Sequence, residues 1–156
     1  MRISVIIPTF NREEHLNNCL SSLLTQTKKP FEILVIDNSD NSYAKKVVNI
    51  FEEQFKLQNI SIYCFKNPIN SGAIARNLGA SKVKGDLVAF LDDDVLLDAN
   101  YYEEIEKVFL EYPDSLGVHG YNKLVNKAYQ EMKNSFIYSL LDKFVKFFMI
   151  SSYYEE

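Results

Sequence analysis

Leu87-Val88-Ala89-Phe90-Leu91-Asp92-Asp93-Asp94-Val95-Leu96-Leu97 is the stretch on which the reading of this 156-residue chain turns. Five apolar residues run without interruption into three carboxylates, and apolar residues resume at once. An unbroken apolar run of this length, bounded by polar residues, predicts a strand buried on both faces, as in a parallel sheet. The carboxylates then stand at the carboxyl end of that strand, the edge at which open α/β sheets bind ligands. Three adjacent negative charges repel one another and are stabilised by water or by a cation. The expectation is a hard divalent ion, Mg2+ or Mn2+, with a phosphate behind it.

The segments before this stretch repeat one pattern. Residues 3–7 are β-branched and apolar except for Ser4, a first strand that Pro8 is expected to end because proline donates nothing to a ladder. Asn11 and Glu14 have the spacing of a capping box, and Leu16, Cys19, Leu20 and Leu23 follow at helical intervals. A second strand is read over 31–36, and a second helix over 43–55 with Ala44, Val47, Val48, Phe51 and Phe55 on one face. A third strand is read over 60–65, then a loop over 67–72 and a third helix over 73–83. Strand-helix units with short connections predict an α/β fold, a mostly parallel central sheet with helices on both faces. A further helix over 100–112, with Ile105, Val108 and Phe109 inward, ends at Pro113, and 116–121 is read as a short strand.

Composition narrows the classes. Hydrophobic residues make up 47% and charged residues 24%, as in a soluble globular protein. A net charge of −4 argues against nucleic acid as a partner. Two cysteines, Cys19 and Cys64, lie in apolar patterns and read as free thiols in a reducing compartment. With two histidines beside them, a structural zinc site is not expected. The first residues enter a strand directly, without a leader pattern, and no apolar run is long enough to span a bilayer. The location expected from this is cytoplasmic. Residues 135–150 carry Phe136, Ile137, Leu140, Leu141, Phe144, Phe147 and Phe148 on one helical face. This face suits either packing on the domain or a partner subunit, or lying on the inner surface of a membrane.

Four polar clusters follow the strands: Pro8 to Arg12, Asp37-Asn38-Ser39, Asn70-Ser71-Gly72 with Arg76 and Asn77, and Asp92-Asp93-Asp94. Strand ends of a parallel sheet point the same way, so the clusters converge on one edge. Arg76 suits either phosphate oxygens or a carboxylate such as Asp37 or Asp92. Asp93 is expected to face away from Asp92 and Asp94, since successive residues of extended chain alternate.

The segments SVIIPTFNR (4–12), EILVIDNSD (32–40) and NSGAIARNLGASKVKGDLVAFLDDD (70–94) resemble the nucleotide-sugar-binding half of family 2 glycosyltransferases of the GT-A fold. The resemblance covers about residues 1–120. It implies a donor-binding domain over 1–125 and a helical extension over 126–156 that begins the acceptor side. It implies that Pro8 and Thr9 border the base and ribose and that Asp37 hydrogen-bonds the base. It implies that Gly72 and Arg76 lie beside the diphosphate, that Asp92 faces the ribose, and that Asp94 holds Mn2+ or Mg2+. The partners implied are a nucleotide-diphosphate sugar, most often UDP-linked, and an acceptor hydroxyl on a glycan, lipid or protein. The implied reaction inverts the anomeric carbon.

Two departures stand beside the resemblance. The family's pair of acids followed by Gly-Ser is here Asp37-Asn38-Ser39-Asp40, and its later Gln-x-x-Arg-Trp segment is absent from a chain without tryptophan. No catalytic base is assignable. An alternative is therefore a nucleotide-binding or interaction module of the same fold. A nucleotidyltransferase is disfavoured, because Pro8-Thr9-Phe10-Asn11 has no glycine.

Overall fold

The four apolar segments become four parallel strands, and the order in which they pair creates the functional edge. The structure is a computed structural model that describes residues 1–118 and 120. In chain order the elements are β1 (Ile3–Thr9), α1 (Glu13–Leu24), β2 (Glu32–Asp37), α2 (Tyr43–Leu57), β3 (Ser61–Lys66), α3 (Gly72–Ala80), β4 (Leu87–Phe90) and α4 (Tyr101–Glu111). The sheet runs β3-β2-β1-β4, every pair parallel. The chain thus builds outward from β1 through β2 to β3, then returns to the other side of β1 for β4. The reversal falls between β1 and β4, the switch point at which doubly wound sheets bind ligands.

Alternation along the strands distributes the core to two faces. Val5, Ile7, Ile33 and Val35 pack with Leu16, Cys19, Leu20 and Leu23 of α1, Val47, Val48, Phe51 and Phe55 of α2, and Tyr102 of α4. Ile6, Leu34 and Ile36 face the other way and meet Ala75 of α3. Gly79 sets the distance on that second face, since a Cβ there would fall 2.5 Å from Ile6 Cγ2. At the opposite, amino-terminal edge, the buried Glu32 carboxylate accepts from Ser4 Oγ at 2.7 Å and from the Lys84 backbone, while Ser4 Oγ accepts from Gly85 N.

Several expectations are corrected. Pro8 does not end β1, which continues to Thr9 with Pro8 opposite Ile36 and Thr9 opposite Asp37. Ile6 O accepts from Leu91 N, and Thr9 O from Asn38 N. Alternation therefore aims Pro8's missing donor toward β4, beyond the last paired residue Phe90, where no ladder bond is lost. β4 is not buried on both faces. It is an edge strand among the described residues, with Val88 41% and Phe90 55% exposed. No capping box forms at α1: Arg12 occupies the N-cap, and Asn11 has φ 53°, its side-chain oxygen accepting from Asn41 Nδ2. α3 starts at Gly72, capped by Ser71 Oγ, and ends at Ala80 rather than 83. In α4 the buried residue is Tyr102, while Ile105, Val108 and Phe109 are half-buried. Residues 116–118 carry no strand. The rest of that expected strand, the boundary at 125 and the helix over 135–150 lie outside the described residues.

Candidate functional site

The loops after β1 and β4 and the start of α3 enclose a cleft of about 290 Å³ at the switch point. Pro8, Thr9, Gly72, Arg76, Asp92 and Asp94, all singled out in the sequence, line it. So do Phe10, Arg12, Asn38, Asn70 and Asp93. Asp37, also singled out, is not among the lining residues.

Asp93 is the floor. Its side chain is only 6% exposed. Thr9 Oγ1 donates to Asp93 Oδ2 at 2.7 Å and lies 2.5 Å from Tyr43 Oη. A hydroxyl has one proton, so with Thr9 donating to Asp93, Tyr43 is the donor to Thr9. This Tyr43-Thr9-Asp93 chain ties β1, the start of α2 and the acidic loop together. Asp93 is buried where Asp92 and Asp94 are exposed, but it lies in a turn rather than on extended chain, so strand alternation is not what sets its direction.

The remaining charges are neutralised from within. Arg12 Nη1 reaches Asp93 Oδ1 at 3.3 Å and Asp94 Oδ2 at 3.0 Å. Arg76 Nη2 reaches Asp92 Oδ1 at 2.5 Å. The ion pair foreseen between Arg76 and Asp92 is present. Gly72 makes room for it, because a Cβ at that position would come within 3.2 Å of Arg76 Nη1. Beneath the loop, Cys19 Sγ lies 3.8 Å from the Asp92 carbonyl oxygen. Burial, and then the charges of Asp93, Asp94 and Asp92, push this thiol from 9.0 to about 12.

Asp37 is buried, at 3% exposure, at the end of β2. Its Oδ1 accepts from Ser39 N at 2.9 Å and Ser39 Oγ at 2.6 Å, and its Oδ2 lies 3.6 Å from Lys66 Nζ. One oxygen of the carboxylate is thus held by the turn that follows, and the next residue, Asn38, lines the cleft. Asn67 Nδ2 donates to Ile69 O at 2.6 Å and to Asn38 Oδ1 at 2.7 Å. That orientation leaves Asn38's amide nitrogen, two N–H donors, without a protein partner among the described residues.

Arg12 and Asn38 were not picked out individually from the sequence. Arg12 follows β1 by three residues, and only three-dimensional proximity to the acidic loop marks it. For Asn38 the signal was its position directly after a strand-ending carboxylate.

A divalent cation of the Mg2+ or Mn2+ type fits the donor chemistry here. Asp92 and Asp94 supply hard oxygen donors facing one cleft, and such ions take one or two carboxylates and complete their shell with phosphate and water. Among the described residues no group of three or more His, Cys, Asp or Glu side chains is arranged to hold a metal.

The chain matches the family described as Glycosyl transferase family 2 over residues 4–153. It is 29% identical over 156 residues to the glycosyltransferase GlyA of Streptococcus pneumoniae, covering 99% of this chain and 20% of that protein. It is 32% identical over 142 residues to the poly(ribitol-phosphate) beta-N-acetylglucosaminyltransferase TarP of Staphylococcus aureus, covering 85% of this chain and 42% of that one. The chain therefore spans less than half the length of these relatives. Among solved structures, S. aureus TarS 1-349 in complex with UDP superposes with TM-score 0.62 at 23% identity, over 77% of this chain and 38% of that one. The mannosyltransferase PcManGT from Pyrobaculum calidifontis, in complex with GDP-Man and Mn2+, gives TM-score 0.55 at 22% identity, over 63% and 29%. These two likenesses establish the GT-A type of fold.

Proposed function

This chain belongs to glycosyl transferase family 2, and we propose from that membership that its cleft binds the nucleotide-diphosphate sugar, most simply a UDP-sugar, of an inverting transfer. The observation that carries the reading is the gathering of Thr9, Arg76, Asp92 and Asp94 on one cleft at the β1–β4 switch point. That the relatives include an N-acetylglucosaminyltransferase by name, and that fold neighbours hold UDP or GDP-Man, supports a nucleotide sugar as donor.

The residues divide the work by chemistry. Arg76 and Arg12 present guanidinium donors suited to diphosphate oxygens. The amide N–H groups of Asn38 suit a base carbonyl, while Asp37 shapes the turn that presents Asn38. Asp92 is assigned to the ribose side. Asp94 is the residue we assign to the cation, and the Tyr43-Thr9-Asp93 chain fixes the loop that carries it. An ion bound there would stabilise the charge developing on the departing diphosphate. In the transfer, the acceptor oxygen bonds to the anomeric carbon as the bond from that carbon to the diphosphate breaks. A general base takes the acceptor proton, and no described residue is assigned to that role.

Thermal unfolding tests the reading. Uridine diphosphate with Mn2+ is expected to raise the melting temperature, by linkage worth about 2.7 kcal/mol at one hundred times Kd. Asp94→Ala is expected to keep the fold and lose most of the increment that depends on Mn2+. No shift with any nucleoside diphosphate at millimolar concentration would sink the reading. Binding without transfer or donor hydrolysis would instead identify a binding module.

A further inference from the structure

The acidic loop and the two arginines form a nearly closed charge account before any ligand arrives. Three carboxylates, Asp92, Asp93 and Asp94, face two guanidiniums, Arg12 and Arg76. One net negative charge is left, too little to draw a bare divalent cation strongly. Arg12 is the unusual member. Its one Nη1 atom spans the buried Asp93 and the half-exposed Asp94. It approaches from the loop after β1, across the cleft from Arg76 on α3. It therefore occupies Asp94 Oδ2, one of the two oxygens that a cation at Asp94 would take.

We propose that Arg12 is a positioning residue that exchanges partners on donor binding: it holds Asp94 in the free protein and passes to the diphosphate when nucleotide binds, which releases Asp94 for the cation. The inference rests on the donor reading above. The physical reason is that a guanidinium and a divalent cation compete for the same carboxylate oxygens and repel each other. A diphosphate removes the conflict, because it supplies bidentate acceptors for the arginine and further oxygens for the ion. Metal and nucleotide then strengthen one another's binding by the same factor, as linkage requires. Arg12 acts through Asp94 and the phosphate and is assigned no part in bond making.

The test measures Mn2+ binding by the electron paramagnetic resonance signal of the free ion, using the whole chain, with and without uridine diphosphate. Wild type is compared with Arg12→Gln, Arg12→Lys and the distant control Arg2→Gln, whose guanidinium pairs with Asp86. Arg12→Gln is expected to bind Mn2+ alone about three- to tenfold more tightly, the scale of two part-exposed ion pairs removed. It is also expected to show a smaller tightening by nucleotide. Arg12→Lys should stay near wild type, since it keeps the charge, and Arg2→Gln should match wild type in both arms. A merely structural role for Arg12 would weaken Mn2+ binding on substitution. Unchanged or weaker binding of Mn2+ alone by Arg12→Gln overturns the exchange and leaves the donor reading standing. Failure of wild type to bind uridine diphosphate with Mn2+ overturns both.

Discussion

At Thr9 one hydroxyl serves two buried partners, the Tyr43 phenol and the Asp93 carboxylate. Thr9→Val keeps the shape and removes both bonds, leaving two buried polar groups short of a partner. The expected cost is about 1–3 kcal/mol, read as a lower urea midpoint; an unchanged midpoint would show that the hydroxyl carries nothing. Cys19 gives a prediction in pH. Its folded thiol is raised to about 12 from 9.0, chiefly by burial. Below the unfolded value both states hold the proton and the contribution is intact. As pH rises from there toward the folded value, the unfolded chain releases the proton while the native thiol keeps it. Stability is then lost at up to about 1.4 kcal/mol per pH unit. Urea titrations across pH 8–10 should fall less steeply for Cys19→Ala than for wild type. The native thiol should also resist alkylation at pH 8 and react once unfolded.

Among the elements, α3 offers a test whose sign is informative. Glycine to alanine in a helix ordinarily stabilises, by about 0.8–1.0 kcal/mol. Gly79→Ala should instead destabilise by about 1–3 kcal/mol, because the new methyl enters the space of Ile6 Cγ2. A variant as stable as wild type would show that α3 can lift off the sheet at little cost. The elements were legible in the sequence where each strand is a continuous apolar run and each helix has a single apolar stripe, as with Val47, Val48, Phe51 and Phe55. What was not legible depends on neighbours. The residues of β4 look as apolar as those of β1, yet sheet order leaves Val88 and Phe90 exposed. Asn11 has the composition of a cap, but a left-handed backbone and Asn41 take it elsewhere. At Asp37 the sequence marked the carboxylate but not the turn by which Ser39 holds its Oδ1. In each case a local pattern met a competing partner distant in sequence or set by the turn.

At the level of the whole molecule, the order β3-β2-β1-β4 places β1 and β2 at the centre. Native-state hydrogen exchange should be slowest at Val5, Ile7, Ile33 and Val35, and faster along β3 and β4; equal protection in all four strands would contradict the sheet as described. Among the described residues no helix is long and apolar enough to cross a membrane. The position of Pro8 bears on the shape of the entire edge. Continuing the β1–β4 register by two residues would bring Pro8 opposite Asp92, and there the ladder would need the donor that an imino acid lacks. Pro8 therefore works as the stop on a zip. Above Leu91 the two strands part like a fork, and the acidic loop springs from the crotch instead of being drawn into the sheet. One ring thus withholds the next rung, while the turn from Asp92 to Val95 carries the acids away from it; Pro8→Ala is expected to slow hydrogen exchange in the loop if the ladder extends, and unchanged exchange would show that the turn alone keeps the fork open.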